Sequence, residues 1–320
     1  MAPNNITGLG SLAGLGVFTA VAPPPVGAGY VLNWDASYTT SKVSFADDSI
    51  STLSALLSSS RGGNAGMANS GTAGYFGGGA IVSTFQTTIN KIAFTNDSRS
   101  TLGSGLSLAR YRASGMANSG TAGYFGGGTT AGSTKRTTVD KVTFSNDSVS
   151  ALATGLSVGK EGPGGFANSG IAGYFAGGNA TGATTVIEKI DFANDSRSTL
   201  GLGLSTARQR PQTFANSGTA GYSIGGMSDS GNMGTEINKY TFPNDTRTVL
   251  SSTLSVGRGL GTGFAKSGTA GYIAAGDLQG TGNAKIVEKM PFSTESFANI
   301  TASLTEGAQN EASFANSGTL

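Results

Sequence analysis

An all-β chain of six repeats, each of four short strands, is predicted by three observations. The tripeptide Ala-Gly-Tyr recurs at Ala28, Ala73, Ala122, Ala172, Ala220 and Ala270, which puts its tyrosines at 30, 75, 124, 174, 222 and 272. The intervals are 45, 49, 50, 48 and 50 residues, and self-similarity at about 40–50 residues signals a repeat array or a propeller. Within each period, runs rich in β-branched and aromatic residues alternate with Gly, Asn, Asp and Ser turn signals, and no convincing helix interrupts them. Glycine, at 52 of 320 residues, is far above the usual ~7% and has no three-residue period, so it argues for many turns and against collagen.

The second unit serves as the template. Ala73-Gly74-Tyr75-Phe76 runs into Gly77-Gly78-Gly79 and then into a polar, variable loop that ends near Thr87. Thr88 to Phe94 is strand-like, and Asn96-Asp97-Ser98 reads as a turn closed by Asx and Ser side chains. Ser100-Thr101-Leu102 and Leu106-Ser107 bracket a short apolar segment, which Arg110 closes. Gly115-Met116-Ala117 then leads through Asn118-Ser119-Gly120-Thr121, a tight hairpin signal with Gly free to take positive φ, into the next Ala-Gly-Tyr.

Lys followed three residues later by Phe occurs in every unit: Lys42/Phe45, Lys91/Phe94, Lys141/Phe144, Lys189/Phe192, Lys239/Phe242 and Lys289/Phe292. Side chains alternate along a strand, so the Lys+1 residues (Val43, Ile92, Val142, Ile190, Tyr240, Met290) face opposite to the Lys−2 residues (Thr40, Ile89, Val139, Ile187, Ile237, Val287). Both faces are largely apolar. Such a strand belongs to a sheet packed between two others, as a propeller blade is. The end of the chain, Phe314 to Leu320, repeats the half-unit that elsewhere precedes Ala-Gly-Tyr, whereas Ala28-Gly29-Tyr30 lacks that half. These complementary halves predict one shared hairpin and a closed ring of six blades over residues 28–320, where an open solenoid would need capping repeats.

Residues 1–27 stand apart as an N-terminal arm that ends in the stiff Pro23-Pro24-Pro25 spacer. Thr19 to Ala22 has the small residues of a cleavage site. But no Lys or Arg precedes the apolar run from Ile6 to Ala22, and four glycines interrupt it, against a signal peptide and against a membrane span.

Twenty basic and eighteen acidic residues leave a net charge of +2, no field for nucleic acid or an anionic membrane. The absence of Cys removes disulfides and thiolate chemistry, and the absence of His removes the commonest general base and imidazole ligand. Gly123 to Lys135 has the glycines of a phosphate loop but neither its Lys-Ser/Thr order nor a following helix, so the glycine runs read as structural, letting neighbouring backbones approach closely. One acid per turn (Asp48, Asp97, Asp147, Asp195, Asp245, Glu295) cannot gather the six to eight oxygens calcium takes. The reading for these residues is an Asx turn with an ion pair to the Lys six residues earlier. The recurring Lys is read as a fold element, its stem covering the next blade and its ammonium in water, with anion binding in a channel as the other reading. No unmatched carboxylate pair suggests glycoside hydrolysis. No catalytic, metal or cofactor residue is therefore assigned, and binding is sought in residues that differ between repeats: Lys135-Arg136, Gln209 to Gln212, Met227 to Asn232 and Asp277 to Asn283.

With these residues in view, residues 28–320 resemble kelch-type β-propellers, whose ~50-residue repeats carry a double glycine after an aromatic-rich strand. Gly78-Gly79, Gly127-Gly128, Gly177-Gly178 and Gly225-Gly226 match that position. Arg61, Arg110, Arg208 and Arg258 match a frequent basic residue, which becomes Lys160 once and Ala308 once. The later tryptophan of the pattern is missing, with Leu102, Leu152, Leu200 and Leu250 near its place and Trp34 the only Trp. The order GYFGGG, Val/Ile-x-Lys-Ile-x-Phe, NDS, LSxAR is similar to glycine-rich repeats of tailed-bacteriophage proteins, notably those of cyanobacterial hosts. That resemblance implies a non-enzymatic virion protein, a tail, fibre or capsid-decorating component. Its arm would dock on other virion proteins, with homo-oligomers and host-surface glycans as further partners. A secreted or cell-surface carbohydrate-binding propeller of bacterial origin is the alternative. The copper oxidases of kelch-like fold use His and a Cys-linked Tyr, which this chain lacks.

Overall fold

The computed structural model describes residues 27–32, 39–54, 56–307 and 312–316. Apart from Gly27, the N-terminal arm lies outside these residues, as do Trp34 and Ala308.

The described residues form six four-stranded antiparallel sheets, and the only helical element among them is a three-residue 3-10 turn, Ala131–Ser133. The third sheet shows the plan. Ser114–Asn118 is innermost, followed by Ala122–Gly126, Val139–Thr143 and Ser148–Ala151, each antiparallel to the last. Asn118 lies opposite Ala122, so Ser119-Gly120-Thr121 is a three-residue loop; the Thr121 N–H donates to the Asn118 carbonyl at 3.0 Å and Gly120 takes φ +81°. The Ala-Gly-Tyr segment is thus the second strand and the Lys-containing segment the third. The third strand is buried at both the Lys−2 and Lys+1 positions, as alternation requires. In the first sheet the innermost strand comes from the far end of the chain: Ser313–Ala315 pairs with Ala28–Leu32, with Gly29 opposite Ala315 and Val31 opposite Ser313.

The core lies between the sheets. The tyrosine of each Ala-Gly-Tyr stacks on the Phe three residues after the Lys of the following repeat: Tyr30 on Phe94, Tyr75 on Phe144, Tyr124 on Phe192, Tyr174 on Phe242, Tyr222 on Phe292 and Tyr272 on Phe45. The ring centroids are 5.2 to 5.7 Å apart. Offset aromatic pairs at such distances add about 0.5–1.5 kcal/mol beyond their buried area. At four of the six equivalent positions the innermost strands approach too closely for a side chain, and glycine stands there. A Cβ on Gly115 would lie 2.1 Å from the Gly66 carbonyl oxygen, and one on Gly165 2.2 Å from that of Gly115. Thr213 and Ser313 stand at the equivalent position and turn the closeness into hydrogen bonds, to the carbonyls of Gly165 (2.7 Å) and Gly263 (2.6 Å).

In each sheet the hairpin between strands three and four lies at one end, together with the hairpin between strands one and two in the second to sixth sheets. The connection from strand two to three, and the link to the next sheet, therefore lie at the other. That second end carries most of the residues that vary between repeats. Small extra strands, not anticipated from sequence, decorate it: Ala80–Ile81 with Thr84–Phe85, Thr129–Thr130 with Thr134–Lys135, and a three-stranded set of Arg258–Gly259, Asp277–Leu278 and Gly282–Asn283.

Candidate functional site

Two polar networks account for most of the charge that recurs in the repeats. In the first, each turn carboxylate accepts from a tyrosine and a lysine of the preceding repeat. Tyr30 and Lys42 reach Asp97, Tyr75 and Lys91 reach Asp147, Tyr124 and Lys141 reach Asp195, and Tyr174 and Lys189 reach Asp245. Tyr222 and Lys239 reach Glu295, and Tyr272 and Lys289 reach Asp48. All twelve contacts fall between 2.6 and 2.9 Å. This corrects two sequence expectations. The lysine partner is not six residues away but 54 to 56 in the first four cases. The Asx turn is made by the residue before the acid, as where the Ser98 N–H donates to Asn96 Oδ1 at 3.1 Å. The acid itself sits at positive φ, +56° at Asp97. The ammonium groups, expected in water, each hold a carboxylate. Burial first, and the carboxylate acceptor second, push all six tyrosine hydroxyls well above their ordinary value.

In the second network the basic residue before five of the six innermost strands turns into its own sheet. Arg110 and Asp140 are both fully buried and paired; the guanidinium also donates to the carbonyls of Gly127 (2.9 Å) and Thr138 (2.7 Å). Lys160 pairs with Glu188 and Arg258 with Glu288, each at 2.8 Å. Arg61 donates to Asn90 at 2.8 Å, and Arg208 binds Glu236 near the surface. Burial lowers the Arg61 pKa to about 10, with Arg99 adding repulsion. Among the described residues, neither this set nor the recurring lysines line the cavity enclosed by the six sheets.

The double glycines support these links. Gly79 donates its N–H to the Arg110 carbonyl at 2.8 Å from φ +95°, a conformation strained for any other residue. Gly128, Gly178 and Gly226 do the same to Lys160, Arg208 and Arg258.

What the repeat leaves unspent lies at the variable end. An axial cavity of about 100 Å³ opens there, walled by backbone and small side chains from all six sheets, among them Gly66, Gly115, Gly165, Thr213, Gly263 and Ser313. The links between sheets are tied around its mouth: Arg112 N–H donates to the Gly63 carbonyl, Gly162 to Arg112, Arg210 to Gly162 and Leu260 to Arg210, at 2.8 to 3.4 Å. Two charged side chains line this cavity among the described residues, Arg112 and Arg210. Beside it runs a groove of about 530 Å³ in which Phe85 and Tyr111 stack at 5.7 Å, bordered by Lys135, Glu161 and the Arg112 side chain.

Of the residues singled out by variability, Arg210, Pro211 and Gln212 line the cavity. Others are taken up in loop-to-loop contacts. The Lys135 ammonium reaches Asn179 Oδ1 at 2.6 Å and the Ala180 carbonyl, Gln209 accepts from Asn179 Nδ2 at 3.0 Å, and Met227 pairs with Gln209 and Met233. Arg112, Tyr111 and Glu161 escaped the sequence reading. A signal existed. The residue two after the recurring base is Gly63, Arg112, Gly162, Arg210 or Leu260, so arginine stands twice where glycine serves in two other links.

The fold and its two ends define a β-propeller-like all-β protein. No family model matches the chain, and no curated protein does. Among solved structures, that of YjhT is similar, with a TM-score of 0.68 at 14% identity over 82% of this chain and 91% of that one. At that identity the likeness speaks for the fold alone.

Proposed function

We propose that the six sheets are the blades of one closed propeller, and that this propeller is a non-enzymatic structural or appendage component of a phage particle. The segment before Gly27 would attach it to other virion proteins, with the variable end turned outward. Closure is supported by contacts that run from each repeat to the next and from the sixth back to the first: Tyr272 and Lys289 on Asp48, Tyr272 on Phe45, and Ser313–Ala315 on Ala28–Leu32. The observation that carries the functional reading is the division of labour along the repeat. Recurring residues are used in contacts between and within sheets, while the differing ones gather at one end, the arrangement of a scaffold that presents loops. The phage assignment rests on the repeat order GYFGGG, Lys-Ile-x-Phe, NDS, LSxAR.

Mass spectrometry of purified particles of the encoding phage tests this directly. The protein is expected at stoichiometric level, and its absence from particles would sink the assignment. The stacked Phe85 and Tyr111 beside Arg112 favour a second reading, a secreted or surface carbohydrate-binding module. A glycan array with the isolated protein separates the two: specific glycan binding without particle association supports the second.

A further inference from the structure

The mouth of the axial cavity carries a charge arrangement that the repeat does not need. In successive links the residue two after the recurring base is Gly63, Arg112, Gly162, Arg210 and Leu260, at φ +65°, +57°, +56°, +51° and +62°. Glycine adopts that conformation without a steric penalty and arginine does not. Backbone strain of this kind concentrates at ligand clamps and other functional positions. Arg210 also depends on its neighbour having no side chain, since a Cβ on Gly162 would lie 2.6 Å from Arg210 Cγ. Arg112 lies over the Tyr111 ring at 4.5 Å.

Both guanidiniums lean on one acid. Glu161 Oε1 is 3.5 Å from Arg112 Nη1 and 3.3 Å from Arg210 Nη2. Two cations thus share a single carboxylate and retain one unbalanced positive charge. The Nε–H groups of Arg112 and Arg210 are buried and have no hydrogen-bond partner among the described residues. Burial, followed by repulsion from Arg112, lowers the pKa of Arg210, against the pull of Glu161. Buried donors without acceptors are costly, and a guanidinium matches carboxylate and phosphate oxygens geometrically.

We propose that Arg112 and Arg210 form an oxyanion site at the mouth of the axial cavity, which takes the carboxylate or phosphate group of a small solute. The glycine-backbone walls and the volume of about 100 Å³ limit the occupant to the charged group itself. The groove that shares Arg112 leaves room for the remainder of the solute against Phe85 and Tyr111. The site belongs to the propeller alone and does not depend on attachment to a particle.

Isothermal titration of the full chain with inorganic phosphate and with acetate, in chloride buffer at constant ionic strength, tests it. Saturable binding of phosphate, acetate or both is expected, and which of them binds identifies the group recognised. R112Q and R210Q should each weaken binding at least about tenfold, and the double variant should abolish it. K285Q, at a distant exposed lysine, should leave it unchanged. E161Q removes the internal competitor and should tighten binding severalfold, which guards against a variant that merely unfolds; thermal melts report folding for each. No saturable binding of either anion by the folded chain, or binding unaltered in the folded double variant, would overturn the proposal.

Discussion

Arg110 and Asp140 pose the sharpest question at the level of single residues, because both are fully buried. Removing charged groups from water costs several kcal/mol each, and the attraction recovers this only with good geometry and further hydrogen bonds. Here the guanidinium has those bonds, to the Gly127 and Thr138 carbonyls. The repeats themselves display alternatives at the same two positions: Arg61 with Asn90, Lys160 with Glu188, Arg258 with Glu288, and finally Ala308 with Ser41. Acid and base are lost together at Ser41 and Ala308, while Asn90 and Asn238 stand in the acid's place where Arg61 and Arg208 are kept. D140S should therefore cost about 3–5 kcal/mol, since it strands a buried cation. The double variant R110A/D140S, which copies the residues at sequence positions 308 and 41, should cost about 1–3 kcal/mol less than the sum of the single substitutions. Urea denaturation of the four proteins measures the coupling; strict additivity would show that the two residues do not act as a pair. The sequence disclosed the base, because it recurs in five of the six repeats, but it concealed the partner. Asp140 lies 30 residues away, and only the sheet's register brings it back. For the same reason Lys91 was legible as a recurring fold residue, while its link to Asp147, 56 residues ahead, was not.

Between elements, the tyrosine–carboxylate–lysine contacts act as staples, and their chemistry makes the fold sensitive to alkali. Each staple tyrosine is buried, which by itself opposes ionisation, and donates its proton to a carboxylate, so ionisation in place would also set two negative charges against each other. The folded-state pKa values of Tyr30, Tyr75, Tyr124, Tyr174, Tyr222 and Tyr272 are accordingly raised above the ordinary value near 10. The native protein then holds more protons than the unfolded chain above pH 10. Stability from this source is complete below the unfolded value and falls as pH rises past it. An alkaline titration followed by tyrosinate absorbance and far-UV circular dichroism should show these tyrosines ionising only in the transition that melts the sheets. Their ionisation near pH 10 with the sheets intact would show that the staples contribute little. Strand-level features were the most legible from sequence: the four strands, their order, the turn at Gly120 and the double burial of the Lys strand all follow from alternation and turn residues. The two-residue strands such as Thr84–Phe85 did not, because polar variable loops carry no periodicity and pair only where a neighbouring loop supplies an edge.

For the molecule as a whole, everything turns on how the sixth repeat meets the first. Phe314 is 0% exposed, and its ring lies 4.5 Å from that of Phe76, 5.2 Å from Tyr30 and 5.8 Å from Phe94, so one side chain joins the first sheet to the second. Asn316 secures the same strand, accepting from the Ala28 N–H at 2.6 Å through Oδ1 and donating its own N–H to the Ala28 carbonyl at 3.0 Å. In an open array each repeat touches only its neighbours, so loss of a terminal strand frays one end and leaves the rest standing. In the closed propeller we propose, that strand holds the first sheet between the second and the sixth, and its removal exposes two unpaired surfaces. F314A should therefore cost about 3–5 kcal/mol, the usual range for emptying a buried aromatic site, and should lower a single cooperative transition without adding a second. Deletion of residues 311–320 should abolish the folded monomer and leave aggregates, through the bare edge of Ala28–Leu32. Size-exclusion chromatography with equilibrium unfolding reads both outcomes. A truncated chain that runs as a monomer and unfolds at the parent's midpoint would mean that the sixth and first repeats meet without depending on each other, and the molecule would have to be redrawn as an open arc.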